Sequence, residues 1–91
     1  MPTVLRLGSV RIAIFTNDHP PAHVHVIDGN RAEARFLLNC PYGPVEIWDH
    51  EGFRLAELNA IGAMIHQDLD RICHIWSSIH GGLHPYDPRG V

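Results

Sequence analysis

The apolar residues of this chain change their period partway along, and that change decides what the chain can fold into. Residues 22–27 (AHVHVI) and 31–38 (RAEARFLL) alternate polar and apolar, the second turning fully apolar at its end, as strands with one buried face do. From Leu55 onward the apolar residues Leu55, Leu58, Ile61, Ile65, Leu69, Ile72, Trp76 and Ile79 recur every three or four positions, the repeat of an amphipathic helix. Strand patterns followed by one helical pattern predict an α+β fold. Its sheet is small and antiparallel, with three to five strands, and one long C-terminal amphipathic helix packs on one face.

The boundaries follow from local signals. Residues 11–15 (RIAIF) and 45–48 (VEIW) read as further strands, so the strands are expected within 3–48. The segment NCPYGP between them is a loop by its proline and glycine content. The helix is expected over 54–80, with Glu57 in its first turn and Gly81-Gly82 as its stop. Gly62 weakens that helix by about 1 kcal/mol relative to alanine, and marks a bend or a close approach to the sheet. A loose tail over 83–91 contains two prolines and shows no period. At 91 residues the whole chain, 1–91, is expected to be a single domain.

Composition narrows the partners. Residues 1–9 (MPTVLRLGS) lack the basic and apolar regions of a signal peptide, and no run approaches the roughly 18 apolar residues of a membrane span, so a cytoplasmic protein with no membrane partner is expected. Cys40 and Cys73 form no CxxC pair, and in a reducing compartment both are expected as free thiols. All seven basic side chains other than histidine are arginine, which suits bidentate contact with phosphate or carboxylate. The formal charge of −3 nevertheless makes the chain a poor general binder of nucleic acid, so any such site must be local.

The densest chemistry lies in residues 17–26, NDHPPAHVHV, with His19, His23 and His25 following Asp18. The DGN hairpin signal after them sets which residues share a face. A three-residue loop pairing Ile27 with Arg31, His25 with Glu33 and His23 with Arg35 gathers Val24, Val26, Ala32, Ala34 and Phe36 on one face. His23, His25, Arg31, Glu33 and Arg35 then share the other, with Arg11 on the preceding strand. Two imidazoles can serve as general base and general acid, a carboxylate can orient one of them, and arginines can stabilise charge developing on phosphate. Such a face could cleave RNA through the substrate's own 2′-hydroxyl without a metal. It could equally be the solvated side of a half-buried strand. A third reading is a zinc site on the His-x-His strand, with His19 or Asp18 completing His23 and His25 and one position left open to water. His66, Cys73 and His80 recur along one side of the expected helix about 10 Å apart, too far for one ion. Trp76 is expected in the core, and His50 and His84 in loops.

HVHV shares its alternation with the histidine-triad nucleotide hydrolases, but Ile27 stands where their third histidine would be, and their glycine-rich surroundings are absent. Residues 1–12 (MPTVLRLGSVRI), then NDHPPAHVHV, RAEARF, Gly52-Phe53, Glu57-Leu58 and Trp76 resemble, in this order and spacing, domain-of-unknown-function family 4160 of small bacterial proteins. Two positions depart from its pattern: Ala22 separates the two prolines from His23, and Arg54 stands where a serine often caps the helix. The resemblance implies a gene pair that looks like a type II toxin-antitoxin system, with this family as the toxin and a small antitoxin-like protein as its partner.

Together these readings lead to a toxin component acting as a metal-independent endoribonuclease. His23, His25, Glu33 and Arg35 would form the catalytic set, and Asp18, His19, Arg31 and Arg11 would contact RNA. The alternatives are a non-catalytic protein-binding module of a two-protein complex, its docking surface the Asp18, histidine and arginine face, and a zinc-binding protein using His19, His23 and His25.

Overall fold

The computed structural model describes residues 3–80. The expected helix stop at Gly81-Gly82, the tail over 83–91 and His84 lie outside the described residues. Five strands, β1 (Thr3–Leu7), β2 (Val10–Ala13), β3 (His23–Asp28), β4 (Ala32–Leu37) and β5 (Glu46–Glu51), form one antiparallel sheet in chain order. Two helices follow, α1 (Leu55–Gln67) and α2 (Leu69–Ile79). None of the described helices is long and apolar enough to cross a membrane.

The single long helix expected from the apolar period is therefore corrected to two. Asp68, with φ −111° and ψ 18°, leaves the helical region, and its N–H bonds the carbonyl of Ile65 instead of continuing the regular ladder. Aspartate is a poor helix interior residue because its carboxylate competes for nearby donors. Here that carboxylate takes the Nε–H of Arg71 at 2.7 Å, while Arg71 also donates to the carbonyl of Val4 at 2.6 Å, tying α2 to β1. The break does not shift the phase of the stripe. Leu58, Ile61 and Ile65 before it and Leu69, Ile72 and Trp76 after it are all buried.

That stripe packs on the face made by Ile12, Val24, Val26, Ala34 and Phe36, and together these residues form the core. Gly62 serves close approach rather than bending, since a Cβ there would lie 3.3 Å from the Phe36 ring. The first turn of α1 closes as expected, the N–H of Arg54 donating to Glu57 Oε1 at 2.8 Å. At the sheet end, Gly52 holds φ +88°, and a Cβ would stand 2.4 Å from the Arg31 carbonyl oxygen.

The cysteines correct a second expectation. Cys40 and Cys73 form a disulfide, with Cα atoms 5.9 Å apart across 33 residues of sequence. The loop after β4 folds over α2, a proximity that no spacing rule reveals. Closing a loop of that length stabilises a fold by about 3–4 kcal/mol in the chain-entropy account.

Candidate functional site

The hairpin between β3 and β4 has a three-residue loop, but one position further along than expected. Asp28 pairs with Ala32, Ile27 with Glu33, His25 with Arg35 and His23 with Leu37. Within the paired strands the two faces stay as assigned, because a slip of two residues along the partner strand preserves the alternation, but Arg31 falls in the loop and leaves its expected face. The pairs themselves change. His25 faces Arg35 rather than Glu33, and the carboxylate that meets its ring comes from the loop before β3.

That loop turns tightly at residues 15–18. The N–H of Asp18 donates to the carbonyl of Phe15, and the N–H of Phe15 donates to Asp18 Oδ2, both at 3.1 Å. Asp18 is thereby held over the sheet with Oδ1 turned toward β3. Oδ1 lies 3.1 Å from His25 Nε2 and 3.5 Å from His23 Nε2. The other nitrogen of His23, Nδ1, is 2.8 Å from the carbonyl oxygen of Pro21. A carbonyl only accepts, so Nδ1 carries the proton of this ring. His23 is buried at 4% exposure. Its ring packs edge-on against Trp48 and tilts toward Trp76, while Phe15 lies 4.2 Å from the ring of His25.

Trp48 reaches this face because β5 carries a bulge. Arg35 pairs with Asp49 and Phe36 with Ile47, so Trp48 is the extra residue. The Arg35 guanidinium lies 4.2 Å over its indole and is bound by the Asp49 carboxylate, Nε donating to both oxygens at 3.1 Å and Nη2 making a shorter contact to Oδ2. This pairing raises the pKa of Arg35 and holds the Asp49 carboxyl below the usual carboxylate range. Beside the pair, His25, Glu33, Arg35, Asp49, His50 and Glu51 line a shallow open depression.

The residues expected to act together separate into three groups. Asp18, His23 and His25 converge, as the one trio among the described residues whose potential ligand atoms all lie within 4.8 Å. Arg35 and Glu33 border His25, but Arg35 is neutralised by Asp49, and Glu33 stands opposite Ile27 and Glu51. Arg31 turns away from the imidazoles: it bonds Asp28 and Glu57 and lies 5.5 Å over the ring of Phe53. Arg11 pairs with Arg6 and Ile27, and His19 is exposed outside the trio. The structure adds Trp48, Asp49 and Phe15, and places His50 in β5 rather than in a loop. An Asn-Asp pair such as residues 17–18 is a turn signal that could have marked the bend holding Asp18, whereas nothing in a four-residue VEIW run announces a bulge.

A family model described as a domain of unknown function, DUF4160, matches residues 10–77, from the start of β2 into α2. No curated protein and no solved structure matches the chain.

Proposed function

The chain belongs to the DUF4160 family, and from that premise we propose that it is the protein-binding member of a small two-protein complex, meeting its partner along the free edge of β5. The observation that carries this reading is β5 itself. Among the described residues the strand ends the sheet, all six of its residues are exposed, and Ile47 and Trp48 stand 39% and 41% open. An edge with unpaired backbone groups and exposed apolar side chains is a template for strand addition. Below it, Phe36, Val45, Ile47, Leu58 and Ala63 line a groove between β5 and α1.

Charge selects the occupant. Glu46, Asp49 and Glu51 lie on β5 with Glu33 beside them, and Arg35 is already paired. Two copies meeting β5 to β5 would oppose acid to acid, so the edge favours a basic strand from a different chain. In the toxin-antitoxin arrangement that the family resemblance implies, this is the surface through which the antitoxin would hold the toxin.

Ribonuclease action by His23 and His25 is the weaker reading of this geometry. His23 is buried, both rings turn toward one carboxylate, and His25 borders an acidic depression. RNA would meet repulsion there.

A synthetic peptide alternating valine and lysine tests the proposal, with a valine and glutamate peptide as control. The lysine peptide is expected to shift the backbone amide resonances of residues 46–51, and the glutamate peptide to leave them unmoved. Shifts confined to the β1 edge, or none with either peptide, would overturn the assignment.

A further inference from the structure

We infer that Asp18 Oδ1, His23 Nε2 and His25 Nε2 form a three-ligand site for a divalent transition metal of the zinc class. The first support is spacing. Zinc bonds of 2.0–2.1 Å in tetrahedral geometry place neighbouring ligand atoms about 3.3 Å apart. The carboxylate oxygen here stands 3.1 Å from one imidazole nitrogen and 3.5 Å from the other.

The second support is what holds the ligands. His23 donates its Nδ1 proton to the Pro21 carbonyl, which leaves the lone pair on Nε2, aimed at Asp18. Asp18 receives the Phe15 N–H on Oδ2, which leaves Oδ1 as the inward atom. Both are the outer-shell contacts that orient metal ligands. The Nε2 atom of His23 and Oδ1 of Asp18 then face each other as two ligand atoms across the space a metal ion would fill. His25 can turn its own Nε2 lone pair inward once a metal replaces the proton it shares with Asp18.

The third support is the surroundings. The three side chains are 11%, 5% and 17% exposed for Asp18, His23 and His25, with Phe15 and Trp48 packed against the rings. A carboxylate in such a setting attracts a cation more strongly than it would in water. Arg35, opposite His25 across the strands, is bound by the Asp49 carboxylate, which offsets part of the charge it presents to Asp18. Three protein ligands leave a fourth position for water or a small anion, reached from the side where His25 is open. His19, considered from the sequence as a ligand, is not in this set.

The test uses the whole chain with zinc alone and, separately, cobalt(II). One zinc per chain is expected to bind with about micromolar affinity or tighter, and cobalt to show the visible d–d absorption of a tetrahedral site. His25→Ala and Asp18→Asn are expected to weaken zinc binding about a hundredfold or more, since even outer-shell partners cost about 10–100-fold. His19→Ala and His66→Ala are expected to bind as the unmodified chain does. Should His25→Ala fail to fold, His25→Gln, which keeps a donor for Asp18, carries the comparison. No zinc uptake at micromolar concentrations, uptake unchanged in the His25 and Asp18 variants, or uptake lost in His19→Ala would each overturn the site. None of these results depends on a partner binding β5.

Discussion

The indole of Trp48 meets the imidazole of His23 edge-on, with ring centroids 5.1 Å apart and planes at 88°. One extra residue in β5 produces this contact. Without the bulge, Trp48 would follow the alternation to the opposite side of the sheet, and His23 would lose the ring that covers it.

Trp48→Ala should cost about 1 kcal/mol, mostly the stacking of Arg35 on a half-exposed ring. Its sharper effect is on access: His23 becomes open to solvent. Diethyl pyrocarbonate labelling read by mass spectrometry should show faster modification of His23 in the variant, and an unchanged rate would mean that Trp48 does not shield it.

Acid sensitivity should trace partly to Asp49. Its hydrogen bonds to Arg35 hold its pKa below the ordinary carboxylate value. Stability from a depressed carboxylate is full above the unfolded pKa of about 3.9 and is lost as pH falls through the lower folded value. Both partners are over a third exposed, so screening keeps the contribution below about 1 kcal/mol. Asp49→Asn should flatten the acid limb of a urea-stability profile below about pH 4, and a profile identical to that of the unmodified chain would refute this assignment.

Reducing the Cys40–Cys73 bridge should lower unfolding free energy by about 3–4 kcal/mol. Chemical denaturation with and without dithiothreitol measures it. The double variant Cys40→Ser/Cys73→Ser should resemble the reduced protein and show no further response to reductant.

Gly52→Ala should be the most damaging glycine substitution for its size. The residue combines left-handed backbone with a 2.4 Å approach to the Arg31 carbonyl, so both strain and overlap follow. A loss of about 2 kcal/mol or more is expected. Thermal unfolding of Gly52→Ala beside Gly8→Ala separates the two effects: Gly8 shares the positive φ at +63° but has nothing within 4 Å of an added Cβ.

Much of the fold was legible because burial imposes a period. The alternation of Val24, Val26, Ala34 and Phe36 assigned both faces of the β3–β4 hairpin, and the stripe from Leu58 to Trp76 assigned the helical layer. The same periodicity hid the errors. Slipping a hairpin by two residues exchanges Glu33 for Arg35 opposite His25 and leaves the faces of the paired residues unchanged, so pattern could not choose between the registers. The turn decided it: the Arg31 N–H bonds the Asp28 carbonyl, and the Arg31 guanidinium bonds the Asp28 carboxylate, placing the loop one residue further along. The helix break at Asp68 likewise keeps the stripe in phase. The convergence of Asp18 on His23 and His25 depends on the loop turning back over the sheet, a tertiary fact that local patterns do not carry.

The order of strands has a kinetic consequence. Each strand pairs with the one beside it in the chain, through a turn as short as Gly8-Ser9 or the Gly29–Arg31 loop. Short closures lose little chain entropy, and proteins whose contacts are local in sequence fold faster than those that must join distant segments. This sheet can zip hairpin by hairpin, and it should reach its native pairing sooner than a sandwich of equal length whose neighbouring strands come from opposite ends of the chain.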